Sequence, residues 1–188
     1  MHDGAVSNPA GSSWPVWATE PVEVVAPDPH WADRGPALAG ELDGLLAPWL
    51  VAAVEHVGST AVPGLRAKPV LDLMAAVADP AAMARDAAEP LQRAGWELVP
   101  PELDGRAWRR LFVKPDMAGR RRVAHLHVMR PDEPRRAQLR LFRDRLRADP
   151  GLADRYAALK ATLAARHPDD RERYTAAKAR FVEEVLRG

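Results

Sequence analysis

Apolar positions along the chain change period several times, and each change marks an element. Residues 22–26 alternate like a short strand, closed by Pro27-Asp28-Pro29. From Trp31 to about 47, Leu38, Leu42, Leu45 and Leu46 recur at helical spacing; Gly35-Pro36 blurs the start and Pro48 ends the run. Residues 54–57 read as a strand running into a Gly58-Ser59 turn, and Pro63-Gly64 punctuates the loop beyond it. Residues 70–77 are almost continuously apolar, as in a strand covered on both faces. A helix opens at Asp79-Pro80 and runs to about 93, where Gly95 stops it. Residues 96–99 form a short strand broken by Pro100-Pro101, and 109–114 pairs with 123–129 as a hairpin across a turn at 115–119. Three helices follow. The first, 135 to about 148, carries Leu139, Phe142 and Leu146 on one stripe; the second, 152 to about 166, carries Leu152, Tyr156, Leu159 and Leu163. Asp169 or Asp170 caps the third, which turns Tyr174, Phe181, Val185 and Leu186 inward.

The order is a strand and helix, a βαβ-like unit, a hairpin and a helical tail. It predicts an α+β (α/β) fold: a small mixed sheet with flanking helices and a C-terminal helical layer. Residues 1–20 are rich in Gly, Ser, Pro and Ala without periodicity and read as a flexible tail, with Trp14 and Trp17 loosely docked; residues 21–188 read as one domain. Trp31 reads as a core plug and Arg120-Arg121-Arg122 as a solvated turn tip.

Composition narrows the function classes. Lys and Arg total 27 against 26 Asp and Glu, for a net charge of +1, so there is no global attraction to nucleic acid or acidic membranes. Absence of cysteine excludes disulfides, thiolate metal sites and a catalytic thiol. No apolar run approaches the roughly 20 residues that span a bilayer. With no basic-then-apolar leader at the N-terminus, a cytoplasmic location is expected.

Candidate chemistry gathers around residues 54–74. An acid inside an apolar strand, Asp72, costs several kcal/mol, order of magnitude, if buried charged and unpaired. It therefore has a partner, binds a cation or is protonated. Gly58 permits close backbone approach, and Ser59 and Thr60 add hydroxyls; such a turn either cups a phosphate with successive N–H groups or simply caps itself. On the return arm of the hairpin, alternation puts His125 and His127 on one face. Two imidazoles and a carboxylate suit Zn²⁺, Mn²⁺, Fe²⁺ or Ni²⁺ better than Mg²⁺, and either ring can instead serve as hydrogen-bond partner, acid or base. Glu55 and His56 alternate, so at most one joins this site. Lys68, Arg109, Arg143, Lys160 and Lys178 each read singly as surface or ion-pair residues; converging, they would line an anion-binding cleft.

The string Glu55-His56-Val57-Gly58-Ser59-Thr60-Ala61-Val62-Pro63-Gly64-Leu65-Arg66-Ala67-Lys68-Pro69-Val70-Leu71-Asp72-Leu73 resembles the GrpB family within the nucleotidyltransferase superfamily. The resemblance extends from about Val22 to the C-terminus. Residues 141–147, which hold Arg143, and Tyr174-Thr175 ahead of Lys178 are similar to further family signatures. It implies a nucleotidyltransferase-like sheet with the Gly-Ser turn holding a nucleotide's phosphates. The superfamily supplies two acids at i and i+2 for Mg²⁺ and a third from a neighbouring strand. Here Asp72 fills the first place, Met74 the second, and the third falls in His125-Leu126-His127, a departure from the two-Mg²⁺ pattern.

Three readings result. The first is a nucleotidyltransferase-like protein that binds a nucleotide or other phosphorylated small molecule and transfers a nucleotidyl group, with Asp72, His125 and His127 catalytic and Gly58, Ser59, Thr60, Lys68, Arg143, Lys160, Tyr174 and Lys178 on the phosphate. The second is a non-catalytic accessory domain of the same fold; GrpB-like domains fused to dephospho-coenzyme A kinase suggest a link to coenzyme A metabolism. The third is a metal-dependent hydrolase with Mg, Mn or Zn on Asp72, His125 and His127. No pattern specifies an oligomeric state.

Overall fold

The apolar run at 70–77 becomes the second strand of a five-stranded sheet. The structure, a computed structural model, describes residues 15–188, the side chain of Arg171 excepted. Strands β1 (Leu50–Val57), β2 (Leu71–Val77), β3 (Glu97–Leu98), β4 (Arg110–Pro115) and β5 (Arg122–Met129) lie in the order β1-β2-β5-β4-β3. Only β2 and β5 pair in parallel; the other neighbours are antiparallel. The sheet is thus mixed and helix-flanked, as the patterning predicts.

Alternation sorts the strands into two faces. On one, Leu71, Leu73, Ala75 and Val77 join Ala124, Leu126 and Val128 under helices α1 (Trp31–Leu46), α2 (Pro80–Asp86) and α3 (Ala88–Arg93). Trp31, Leu42, Leu46, Met83 and Leu91 complete this main core. A short helix, α4 (Pro101–Asp104), precedes β4. The opposite face carries Asp72, Met74, His125, His127 and Met129. The C-terminal layer of α5 (Pro134–Ala148), α6 (Pro150–Arg166), α7 (Arg171–Ala177) and α8 (Ala179–Arg187) meets this side through Leu139, Arg143 and Lys160.

Several expectations are corrected. The strands of the βαβ-like unit, β2 and β3 around α2 and α3, run the same way in one sheet but are not neighbours: β5 and β4 lie between them, and β1 pairs antiparallel with β2 across the 3-10 turn Ser59–Ala61. Residues 22–26 contribute a single bridge, Val25 to Ala67, because Val22 and Val24 pack instead against Leu163 and Tyr174 of the helical layer. The helix begun at Asp79 breaks at Ala87; Pro90 has no N–H to give the carbonyl of Asp86. The last helix is capped by Asp170, which accepts from the Arg173 N–H at 2.9 Å, and divides at Lys178.

The tail's residues 1–14, Trp14 among them, lie outside the described residues. Trp17 is firmly held: its indole N–H donates to Glu97 at 2.9 Å and the Arg122 guanidinium lies 4.9 Å from its ring. Arg122 opens β5 and donates to the Trp17 carbonyl, so it is no solvated tip. Among the described residues, no helix is long and apolar enough to cross a membrane.

Helix α1 touches the sheet through a glycine. A Cβ on Gly35 would stand 2.0 Å from His56 Nδ1. His56, buried, bonds Thr60 Oγ1 at 3.0 Å, and Thr60 in turn donates to the Val70 carbonyl at 3.2 Å. The ring therefore donates from Nε2 and is neutral, and burial lowers its pKa to about 4. Gly35→Ala is expected to lower stability by about 1 kcal/mol net. Overpacking costs about 1–3 kcal/mol, and helix propensity returns about 1. Urea denaturation should show a lower midpoint with an unchanged slope.

Candidate functional site

Strand register builds the site. Asp72 pairs with His125, Met74 with His127, and Val57 with Asp72 across β1. All these side chains share the face away from the main core. His125 Nδ1 lies 3.0 Å from Asp72 Oδ1, and His127 Nε2 lies 3.4 Å from the same oxygen. Burial lowers the His125 pKa to about 4, so that ring is neutral and its Nδ1–H donates to the carboxylate. Its Nε2 is buried and finds no partner among the described residues. Burial would raise the Asp72 carboxyl, but hydrogen bonds from the two imidazoles outweigh it and hold the acid ionised.

The turn after β1 closes over this acid. Gly58 has φ +73° and ψ −167°, and a Cβ there would stand 2.5 Å from Asp72 Oδ2. Glycine thus lets the turn lie on the carboxylate and presents Ser59 beside it. From the helical layer, Lys160 reaches in to donate to Ser59 Oγ at 3.1 Å and to the Arg66 carbonyl. Lys160 is only 2% exposed. Burial, with the neighbouring Lys178 charge, lowers its pKa to about 7. Burial also lowers Lys178, against the attraction of Asp72. Lys178 and Lys68 lie 4.4 and 5.5 Å from the Tyr174 ring, and burial raises the Tyr174 hydroxyl to about 12. No carboxylate pairs with Lys160 or Lys178 among the described residues.

These groups line one cleft of about 510 Å³: Gly58, Ser59, Lys68, Asp72, His125, His127, Lys160, Tyr174 and Lys178. A larger cleft of about 760 Å³ beyond Lys68 holds none of the other candidates, and its Arg121 pairs with Glu23. Two candidates lie elsewhere. Thr60 spends its hydroxyl on His56 and Val70 inside the core. Arg143 donates to the His56 carbonyl at 3.0 Å and pairs with Asp144, anchoring α5 to β1. Glu55 takes the site-side face but is held by Arg140 at 2.6 Å, while His56 faces α1, so neither reaches the cleft.

Sequence patterning missed Asp104. Its carboxylate receives Arg109 Nε at 2.8 Å and Nη2 at 2.5 Å, and Arg109 Nη1 contacts His127 Nδ1. Burial would raise the Asp104 carboxyl; the Arg109 guanidinium holds it below the usual carboxylate range. No local spacing announces this pair, because a one-turn helix opened by Pro100-Pro101 and ended by Gly105 positions Asp104.

The donor atoms of Asp72, His125 and His127 lie within 4.8 Å of one another, a spacing that suits one cation. Among the described residues no second carboxylate joins the cluster: Met74 packs with Val57, Met129, Trp108 and Leu139 and cannot ligate a hard ion. The residues therefore do not fit a two-Mg²⁺ centre.

The GrpB protein family model matches residues 21–188. The chain belongs to the GrpB family. Its relatives include the UPF0157 protein YqkA of Bacillus subtilis, 33% identical over 86% of this chain, and the UPF0157 protein PA4798 of Pseudomonas aeruginosa, 37% identical over 94%. The chain spans 45% of the first relative's length and 71% of the second's. The crystal structure of the conserved protein GrpB from Enterococcus faecalis overlays with a TM-score of 0.75 at 29% identity, over 88% of this chain and 95% of that one. This confirms the mixed-sheet GrpB fold. A dephospho-CoA kinase of Mycolicibacterium paratuberculosis is 28% identical over 90% of this chain, which spans 46% of it.

Proposed function

We propose that the GrpB cleft binds a nucleotide or another phosphorylated small molecule, and that it does so as a binding or accessory module rather than as a two-metal nucleotidyltransferase. One observation carries the reading: Lys160 is buried beside Ser59 and Lys178 with no carboxylate to balance it. An ammonium held this way costs free energy that an anion would offset. A phosphate at Ser59 would meet Lys160 directly, with Lys178 and Lys68 on the Tyr174 side. Asp72 would face the part of the ligand beyond the phosphate, where a hydroxyl suits its free oxygen. The likeness to a dephospho-CoA kinase puts coenzyme A and its dephospho form on the ligand panel beside nucleotides.

Calorimetric titration with ATP, AMP, dephospho-coenzyme A, coenzyme A and inorganic phosphate, each with and without Mg²⁺, tests the proposal. At least one organic phosphate is expected to bind in saturable fashion without Mg²⁺, and Lys178→Ala is expected to weaken it about tenfold, the scale of one charged hydrogen bond. Heat only from Mg²⁺-dependent turnover, with pyrophosphate released, would instead restore the transferase reading. No heat with any of them would remove the phosphate site.

A further inference from the structure

We infer that Arg109, backed by Asp104, sets the tautomer of His127 so that the Asp72–His125–His127 cluster excludes transition metals and works as a hydrogen-bonded group. This inference stands apart from the phosphate reading. A guanidinium has donors and no acceptor. Arg109 Nη1 lies 2.5 Å from His127 Nδ1, so Nδ1 is the accepting nitrogen and the ring proton sits on Nε2. Nε2–H then donates to Asp72 Oδ1, the oxygen that also receives His125.

A metal-ligating histidine has the reverse polarity. Its second nitrogen carries the proton and gives it to a carboxylate or carbonyl, which raises the basicity of the ligating nitrogen. Here the second nitrogen of His127 meets a cation instead, and its first nitrogen is protonated toward the would-be ligand set. The guanidinium is not free to swing away. Asp104 grips it through Nε and Nη2, the Trp108 ring lies 5.0 Å from it, and Arg109 is only 9% exposed. Asp104 is itself also held by Arg106 at 3.3 Å. Donor spacing alone would admit an ion; the proton inventory does not. Arg109 is therefore a positioning residue: it acts on the cleft through His127.

Two measurements decide the matter on protein purified without chelators. In long-range ¹H–¹⁵N spectra, His127 of the unmodified chain is expected as the Nε2–H tautomer. A protonated Nδ1, in a neutral or a cationic ring, overturns the inference whatever the variants do. In Co²⁺ titrations followed by visible absorption, the unmodified chain is expected to show no stoichiometric site. Arg109→Met is expected to gain one, with at least about tenfold tighter binding, the effect typical of changing a metal's outer partners. Arg109→Lys keeps a donor opposite Nδ1 and is expected to stay metal-free. One tightly bound Co²⁺ in the unmodified chain would overturn the inference as well.

Discussion

Lys160→Met is expected to raise the stability of the protein while weakening its phosphorylated ligand by about 10- to 100-fold. The two effects have one origin. Met fills a similar volume without an ammonium, so the variant escapes the cost of burying an unbalanced charge. The ligand loses a charge-assisted hydrogen bond of about 1.5–3 kcal/mol. The pH dependence follows from the direction of the shift. Lys160 titrates near 7 in the folded chain, against 10.5 for the free side chain. Between those values the unfolded chain binds the extra proton, so stability rises as pH increases, by up to about 1.4 kcal/mol per pH unit from this group. Lys178 is lowered too and adds in the same direction. Urea midpoints at pH 7 and pH 9.5 check this: the unmodified chain should gain stability on going to pH 9.5, and Lys160→Met should gain much less. A variant that is less stable than its parent and binds the ligand equally well would contradict both halves.

Gly58→Ala is expected to damage fold and site together. The backbone at φ +73° and ψ −167° belongs almost solely to glycine, at a cost of about 1–3 kcal/mol for other residues. The added methyl would also meet Asp72 Oδ2 at 2.5 Å and its Cβ at 3.0 Å, so the carboxylate must leave its two imidazoles. A loss of about 2 kcal/mol corresponds to a melting temperature roughly 4–8 °C lower. Gly64 supplies the control. Its φ is +74°, yet a Cβ there meets nothing within 4 Å. Gly64→Ala should therefore cost stability without touching ligand affinity, whereas Gly58→Ala should lose both. Calorimetry and thermal melts on the same two samples separate them.

The heart of the site was legible because its signals are local. Period-two alternation put His125 and His127 on one face, and an acid in an apolar run singled out Asp72. Bringing the two together needed the family resemblance, since strand patterns do not say which strands pair. The peripheral basic residues were harder. Lys160 and Arg143 look alike in sequence, each flanked by helix formers, yet one turns into the cleft and the other clamps α5 to β1. Helical phase relative to a distant turn decides between them, and only packing sets that phase. Thr60 was misplaced for a related reason: a 3-10 turn rotates it away from Ser59 and into the core. The stretch at 22–26 shows propensity yielding to burial, because its valines find apolar partners on helices and not on a strand edge.

The parallel seam between β2 and β5 also bears on how this molecule assembles. Asp72 and His125 are 53 positions apart, whereas β4 and β5 are joined by a short turn. Local hairpins form within microseconds, and contacts between remote segments wait for a large loop to close. Each half of the acid–imidazole group should consequently exist, unmated, in an early species. In stopped-flow refolding, ligand-responsive fluorescence should appear only with the slowest phase, after most of the secondary structure has returned.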